Sequence, residues 1–449
     1  MTPTPADPLC FVAMPFGAKR DANGTQVDFD AIYAGVIRPA VEAAGLTCIR
    51  GDEEPVGGLI HKGMFQRLLL CDFAVADLST ANANVFYELG IRHAFRPFST
   101  VLIYADGFRL PFDVAPLRAL KYHLDPAGRV TQPEADARSL TRRLVEARDH
   151  QVDSPLFQVF DRLQPSDLQH LVGEDLADSI RDSARLRDAA ATATTMEQAD
   201  AVRDELAGAV ESHPGVVAQL LGTYQALGGY SAMVSLIEGL PADERGEVFV
   251  RERYALALNR LGRRVEARRV LTTLLQERGP SSETFGLLGR VHKDEWEEAV
   301  RDGALVRGSG ALRNAIEAYR EGFVTDPRDP YPGVNAVELM AVRDRHDGEW
   351  RRLLPVVRFI AERRVDAGGA TYWEYATLLE LAVMGEDADG VLDYLGRALA
   401  AGPGWAEALS TLDSVNRLAE ALYDEPRPAW LVTAVAELRR AAAHPATPT

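Results

Sequence analysis

Residues 71–95 read CDFAVADLSTANANVFYELGIRHAF, and this stretch decides the fold of the first part of the chain. The continuous apolar run at 73–76 is typical of a strand covered on both faces, as the strands of a parallel sheet are. The polar residues of 79–84 are of the types that form turns and cap helices, so a helix is predicted to open near Asn82. The stretch therefore predicts one strand–turn–helix unit of a parallel sheet.

The same stretch places two acids where α/β proteins bind ligands. Asp77 lies at the carboxyl end of the predicted strand, the edge at which open α/β sheets hold their ligands. Glu88 follows in the first turns of the helix, four residues after Asn84 and on the same face. With Asn82, these side chains would converge on a ribose and its glycosidic bond. On the alternative interpretation, Glu88 complements the helix dipole and the asparagines only cap the helix.

Short strands and helices alternate on both sides of this unit. Strands are predicted at 9–14, 46–49, 100–104 and 120–123, helices at 28–44 and 59–70, and polar loops at 17–27 and 51–58. This alternation predicts an α/β domain with a doubly wound parallel sheet.

Past about residue 130 the pattern becomes helical. Residues 255–275 read ALALNRLGRRVEARRVLTTLL, which predicts a helix, a tight turn at 261–263 and a second helix, the unit of a tetratricopeptide-like solenoid. Leu-Gly-Arg recurs at 288–290 and predicts a second such turn, and the three prolines of 326–333 predict a rigid turn. Four aromatic residues are assigned to packing between repeats: Trp296, Tyr319, Trp373 and Tyr375. The isolated His292 and Lys293 are assigned a structural role. The second part is thus predicted to be all-α.

Composition excludes several classes of protein. Of the 449 residues, 47% are hydrophobic and 26% are charged, which is typical of a soluble globular protein. The formal net charge of -17 argues against a nucleic-acid or membrane partner, since both need a basic surface. The cysteines (Cys10, Cys48 and Cys71) lack zinc-binding spacing, so no metal site is predicted. Without a signal peptide or a membrane span, the chain is predicted to be cytoplasmic.

Three segments of the first domain resemble the Rossmann-like superfamily that joins nucleoside 2-deoxyribosyltransferases to TIR domains. They are FVAMPFG (11–17), CDFAVADLS (71–79) and NANVFYELGIRHA (82–94). The resemblance implies that Glu88 is the catalytic carboxylate and that Asp77 holds the sugar hydroxyls. It also implies that the loop with Pro15 and Phe16 lies over the nucleoside, although a loop-end phenylalanine is as often part of the core.

The chain departs from that family at Asn82, where the deoxyribosyltransferases have an aspartate that handles the nucleobase proton. An amide can bind a base by hydrogen bonds but cannot act as a general acid near neutral pH. A leaving group that departs without protonation, such as nicotinamide, needs no acid. The resemblance implies NAD or a related nucleotide as the small-molecule ligand, and no cofactor is expected.

Four segments of the helical part resemble the TRAFs-binding domain of apoptosis signal-regulating kinases and of bacterial proteins without the kinase. They are DSPLFQVFD (153–161), LLGRVHKDEWEEA (287–299), AIEAYREGFVTDPRDPYPGVNAVELM (315–340) and YWEYATLLELAV (372–383). The resemblance implies a protein partner or self-association. Kinase motifs (a Gly-rich loop, HRD and DFG) do not occur in the chain.

The predicted organisation has four parts: the Rossmann-like domain (1–128), a connecting helix and linker (129–154), the TRAFs-binding, tetratricopeptide-like domain (155–425), and a terminal helix with a disordered tail (426–449). The leading hypothesis is a signalling or immunity-type protein whose nucleotide-binding, N-glycosidase-like domain is controlled by the helical repeats. The main alternative is a non-catalytic adaptor. A metabolic deoxyribosyltransferase is a third possibility, which the long helical part and Asn82 count against.

Overall fold

A computed structural model describes residues 8–20, 26–50, 65, 67–112, 114–115, 117–125, 127–160, 163, 176–207, 214–366, 370–402 and 404–443. The chain forms two compact units. The first comprises Met1–Ala232 with Gly239–Phe249, and the second comprises Met233–Glu238 with Val250–Thr449. The predicted boundaries of the four parts stay predictions.

The first unit contains a parallel sheet. Its described residues form β1 (Leu9–Ala13), β2 (Ala18–Arg20), β3 (Gln26–Asp28), β4 (Thr47–Arg50), β5 (Phe73–Asp77), β6 (Thr100–Ala105) and β7 (Leu120–Tyr122). Five strands pair in parallel in the order β4-β1-β5-β6-β7, and Val12 of β1 lies between Arg50 of β4 and Val75 of β5. The strands lie within two residues of the predicted ones.

Helices cover both faces of this sheet, as predicted for an α/β unit. They are α1 (Phe29–Ile32), α2 (Arg38–Ala43), α3 (Ala83–Phe95) and α4 (Pro133–Glu146). Val12 points into an apolar cluster with Phe29 and Leu140, on the face of α1, α2 and α4. Phe11 points into a second cluster with Leu89, on the face of α3. This alternation along β1 is the side-chain period of a strand buried on both sides.

Two local predictions in this unit were incomplete. The polar loop predicted at 17–27 contains β2 and β3, which pair antiparallel with Lys19 opposite Val27. The helix predicted at 28–44 is interrupted between α1 and α2 by the wider turn Tyr33–Ile37. Pro39 follows that turn and cannot donate a helical hydrogen bond, which favours irregular geometry there. The loop predicted at 51–58 and most of the helix predicted at 59–70 lie outside the described residues.

The rest of the described chain is helical. The helices are α5 (Pro155–Val159), α6 (Leu176–Thr192), α7 (Met196–Ala207), α8 (Pro214–Ala226), α9 (Tyr230–Gly239), α10 (Ala242–Arg245), α11 (Val248–Arg260), α12 (Arg264–Arg278), α13 (Ser282–Arg301), α14 (Leu305–Thr325), α15 (Pro330–Arg343), α16 (Gly348–Asp366), α17 (Tyr372–Met384), α18 (Ala388–Ala400), α19 (Trp405–Leu422) and α20 (Ala429–Ala443). From α12 to α18 each helix packs on the next, and α13, α15 and α17 also contact the next helix but one. Successive helices therefore bury one another, as in helical repeats.

The turn prediction at 261–263 is confirmed and the one at 288–290 is wrong. Residues 261–263 join α11 to α12, with Gly262 at φ +76°. Residues 288–290 lie inside α13 instead. A Cβ atom on Gly289 would approach the buried ring of Tyr319 to 2.7 Å, so this glycine allows close helix packing and makes no turn. The turn predicted at 326–333 is shorter, because α15 already begins at Pro330, a residue suited to a first helical turn.

Of the helices that the structure describes, none combines the length and the apolar character that crossing a membrane requires.

Candidate functional site

The carboxyl edge of the sheet has its topological switch point between β1 and β5. The chain leaves β1 toward α1 on one face and leaves β5 toward α3 on the other, so the winding direction changes between these strands. Open α/β sheets bind ligands at such a switch point, outside the carboxyl ends of the strands. Pro15 and Phe16 follow β1, and Asp77 ends β5. These three predicted site residues therefore flank the switch point.

Asp77 is fully buried and its two carboxylate oxygens are hydrogen-bonded within the protein. Oδ1 accepts bonds from the backbone N–H (3.0 Å) and the hydroxyl (2.5 Å) of Ser79, and Oδ2 accepts one from the Tyr122 hydroxyl (2.9 Å). Burial raises the pKa of Asp77 to about 6, and the bonds from Ser79 and Tyr122 partly oppose this. Asp77 thus links β5 to β7, and its predicted bond to a ribose stays a prediction.

Glu88 is half-buried on the second turn of α3. Among the residues that the structure describes, none donates a hydrogen bond to it or pairs with it. Burial alone raises the pKa of Glu88 to about 7. A half-buried carboxyl group without a partner is more typical of a ligand pocket than of a helix surface. Glu88 is therefore the strongest single indication of a ligand site in this unit.

The two asparagines do not contribute equally. Asn82 caps α3, because its Oδ1 accepts from the backbone N–H of Asn84 (2.9 Å) and of Val85 (3.4 Å). The side chain of Asn84 is exposed. The capping interpretation thus accounts for Asn82 in this structure, whereas the roles of both residues toward a ligand stay predictions.

Pro15 is buried, whereas Phe16 is 40% exposed beside Arg50 of β4. The Arg50 guanidinium carbon lies 5.8 Å from the centre of the Phe16 ring and 4.4 Å from that of Tyr33. Arg50 also donates to Asp30 at 2.8 Å. Arg50 was not predicted as a site residue, because a basic residue at the end of a short strand gives no signal of its own in the sequence.

Across the described ranges, no three His, Cys, Asp or Glu side chains come together as metal ligands.

The second unit contains a polar cavity of about 490 Å³. Residues of α13, α15, α16, α17 and α19 line it, together with Arg260 at the end of α11. The lining includes four cationic and four acidic side chains: Arg260, Arg290, Lys293, Arg364, Asp329, Glu338, Glu374 and Glu380. Two aromatic rings, Tyr331 and Trp373, are each 48% exposed. The cavity thus combines charged groups with exposed aromatic faces.

A buried ion network supports this cavity. Glu338 accepts from Lys293 Nζ at 2.9 Å and from Arg417 Nε at 2.9 Å, and Arg417 also donates to Glu297 at 2.8 Å. The Lys293 and Glu338 side chains are only 5% and 3% exposed. The two neighbouring cations hold the pKa of Glu338 below its ordinary value, against the cost of its burial. The network joins α13, α15 and α19.

Lys293 was predicted to have a structural role and Trp373 to pack between repeats, and the cavity that both line was not predicted. Lys293 does have the predicted structural role, through its ion pair with Glu338. One signal was available: Glu338 interrupts the apolar run VNAVELMAV, and Glu380 interrupts ATLLELAV. Charged side chains are rarely buried without partners, so such interruptions predict a buried pair or a polar cavity.

Comparisons with known proteins agree with the resemblance of the helical part. A family model described as the MAP3K TRAFs-binding domain matches residues 85–415. The chain is 24% identical over 346 residues to mitogen-activated protein kinase kinase kinase 6 of Homo sapiens, covering 70% of this chain and 26% of that protein. It is 33% identical over 141 residues to mitogen-activated protein kinase kinase kinase 15 of Mus musculus, covering 28% of this chain and 10% of that protein. The chain thus spans about a quarter or less of the length of these relatives.

Two solved structures are similar at low identity. One is a thermophilic TPR protein of Thermus thermophilus, with 18% identity, 46% of this chain and 96% of that chain covered, and a TM-score of 0.33. The other is pilF of Pseudomonas aeruginosa, with 16% identity, 52% and 97% coverage, and a TM-score of 0.33.

Proposed function

The chain belongs to the MAP3K TRAFs-binding domain family, and we propose that it is an adaptor that binds a protein partner, or a second copy of itself, through its second unit (the helical unit). The observation that carries this proposal is the cavity of about 490 Å³, with Tyr331 and Trp373 half-exposed on its wall. Packed helical repeats offer extended concave surfaces for partners. Exposed aromatic side chains in pockets are frequent anchors of protein interfaces.

Selection of displayed random peptides with the full chain as bait tests the adaptor role. We expect peptides with a shared pattern to be enriched, and Trp373→Ala to weaken their binding about tenfold, since truncating an interface anchor costs ~1–2 kcal/mol. Fluorescence anisotropy measures the affinities. Trp405→Ala is the matched control, because Trp405 is similarly exposed (53%) and does not line the cavity. The absence of enrichment, or an equal loss in both variants, would contradict the proposal.

We propose as a second function that the first unit binds NAD or a related nucleotide and cleaves its N-glycosidic bond. Three observations favour this function. The sheet has its topological switch point between β1 and β5, Phe16 and Asp77 flank that point, and Glu88 is half-buried on the following helix without a partner in the described part of the chain. The adaptor and the hydrolase would occupy different units of one chain, so the two functions are compatible.

The chemistry requires a carboxylate beside the sugar. Cleavage of an N-glycosidic bond passes through an oxocarbenium-like transition state, which a carboxylate stabilises or attacks. For NAD, water replaces nicotinamide and yields nicotinamide, ADP-ribose and a proton. We assign the carboxylate to Glu88. Asn82 supplies no proton, which suits a leaving group that departs without one.

We expect Glu88→Gln to lower NAD consumption at least a hundredfold, because the amide lacks the charge that the transition state needs. In the wild type, kcat/KM should fall about tenfold per pH unit below pH 7, because the pKa of Glu88 is about 7 and the acid form is inactive. Nicotinamide release measured by chromatography reports both results.

Glu42→Gln is the control for this experiment, because Glu42 is exposed on α2 and paired with Arg38. Equal NAD consumption by Glu88→Gln and wild type would show that Glu88 is not the carboxylate that acts in the cleavage. Exchange of bases between nucleosides, without NAD consumption, would indicate a deoxyribosyltransferase instead.

A further inference from the structure

We infer that the cavity of the helical unit receives an acidic segment of a partner polypeptide, whose carboxylates pair with Arg260, Arg290 and Arg364. This inference rests on the proposed adaptor function and specifies the chemistry of the partner. It follows from comparing the lining groups that are already bonded within the protein with those that are not.

The acidic lining residues are largely occupied. Glu338 is bonded to both Lys293 and Arg417. Asp329 and Glu374 each accept backbone N–H groups at the start of α15 and α17, respectively. Both oxygens of Asp329 and Oε2 of Glu374 are therefore bonded within the fold, whereas Oε1 of Glu374 lies 3.6 Å from Arg364.

The fourth acid, Glu380, is only partly ionised at neutral pH. Burial, and next the negative charge of Glu338, raise the pKa of Glu380 to about 7. Among the four lining acids, a cationic ligand would thus find only Oε1 of Glu374 both charged and without a hydrogen bond in the described ranges.

The arginines that line the cavity have N–H donors that make no hydrogen bond within the described ranges. Arg260 is exposed at the end of α11 and has no hydrogen-bond or ion-pair partner within the described ranges. Arg290 pairs through Nε with Asp294 of its own helix, at 2.8 Å. The nearest acid to Arg364 is Glu374, at 3.6 Å, which is beyond a good hydrogen bond. Each guanidinium has five N–H donors, so the unused capacity of the cavity is for anions.

The distribution of charge favours a peptide over a compact polyanion such as a nucleotide triphosphate. Four cations and four acids line the cavity together, so a dense cluster of negative charge would also meet the ionised carboxylate of Glu374. A peptide carries single carboxylates separated by neutral groups. Those neutral groups can cover the exposed rings of Tyr331 and Trp373.

Three pools of fluorescein-labelled nonapeptides test the inference with the full chain. One pool has Asp or Glu at alternate positions, one has Asn or Gln there, and one has Lys or Arg there, with random residues between. We expect only the acidic pool to bind in anisotropy titrations. We expect Arg260→Gln to weaken its binding about tenfold, the usual loss for a charge-assisted hydrogen bond, and to leave the thermal midpoint unchanged.

Arg313→Gln is the matched control. Arg313 is exposed on α14, has no partner in the described part of the chain, and does not line the cavity. Because both substitutions remove one positive charge, an equal loss in the two would indicate non-specific attraction and overturn the inference. Preferential binding of ATP over the acidic pool, lost in Arg260→Gln, would also overturn it in favour of a phosphate site.

The adaptor role and this inference fail by different results. If the amide pool binds as well as the acidic pool and Trp373→Ala weakens both, the adaptor role stands and the acidic specificity is overturned. If no pool binds and display selection enriches nothing, the adaptor role itself is contradicted.

Discussion

We expect Glu338→Gln to lower the free energy of unfolding of the helical unit by about 3 kcal/mol, the lower end of the range for breaking a buried ion pair. The substitution keeps the shape of the side chain and leaves the buried Lys293 and the half-buried Arg417 without their shared carboxylate. Arg417 retains Glu297. Glu380 will ionise more readily once the charge of Glu338 is gone, which recovers part of the loss.

Tryptophan fluorescence during urea denaturation measures this loss. All five tryptophans of the chain lie in the helical unit, at 296, 350, 373, 405 and 430, so the signal reports on that unit alone. The midpoint at unchanged m gives the change in free energy.

Glu349→Gln is the control for Glu338→Gln. It breaks the pair of Glu349 with Arg320, at 3.2 Å on the surface, and we expect a loss below about 1 kcal/mol. The double variant Lys293→Met/Glu338→Leu should be more stable than Glu338→Gln, because apolar replacements of a buried pair leave less uncompensated charge. Equal losses in Glu338→Gln and Glu349→Gln would show that the network contributes no more than a surface pair.

The strand and helix around Asp77 could be predicted from the sequence because their signals are local. A continuous apolar run marks a strand buried on both faces, and Asn82 caps the helix through its own side chain. The hairpin of β2 and β3 could not be predicted in the same way. Its strands have three residues each and little apolar alternation, so their sequence resembles that of a loop.

Gly289 shows why a local pattern can mislead. Leu-Gly-Arg at 261–263 makes a turn, whereas the same three residues at 288–290 lie within α13. The difference lies in Tyr319, a residue distant in sequence that packs against the bare backbone at Gly289. Tertiary packing of this kind overrides the weak local preference of a glycine.

In the candidate sites, too, the positions of some residues could be predicted from local sequence, whereas their hydrogen-bond partners could not. The acids Asp77 and Glu88 could be placed at a sheet edge because strand ends are predictable. Their hydrogen bonds could not, and Tyr122, which bonds to Asp77, is 45 residues away in sequence. The cavity of the helical unit depends on pairs such as Glu338 with Arg417, 79 residues apart. A single sequence indicates that a buried charge such as Glu338 needs a partner, but it does not identify that partner.

Arg92 gives the largest effect that we expect in the first unit. Its side chain is 1% exposed and donates to three backbone carbonyl oxygens, those of Leu68 (2.8 Å), Cys71 (2.7 Å) and Asp72 (3.1 Å). Burial lowers the pKa of Arg92 to about 10, so the group stays charged at neutral pH. It thereby joins α3 to the segment that leads into β5.

We expect Arg92→Met to lower the free energy of unfolding of the first unit by about 3–5 kcal/mol, because each buried acceptor left without a donor costs ~1–3 kcal/mol. Hydrogen exchange of peptides that cover β5, followed by mass spectrometry, measures the loss, since protection in a core strand reports on opening of the whole unit.

Arg96→Met is the matched control, because Arg96 lies four residues after Arg92, just past the end of α3. Arg96 is half-buried and donates to the carbonyl oxygens of Leu69 (2.6 Å) and Leu70 (3.1 Å). Water can reach these acceptors when the guanidinium is removed, so we expect a loss of only about 1 kcal/mol. If β5 loses the same protection against hydrogen exchange in the two variants, the burial of Arg92 does not determine how much it contributes to the stability of the first unit. A larger loss in Arg92→Met would show that this buried cation holds the segment before β5 in place, and with it the strand end that carries Asp77.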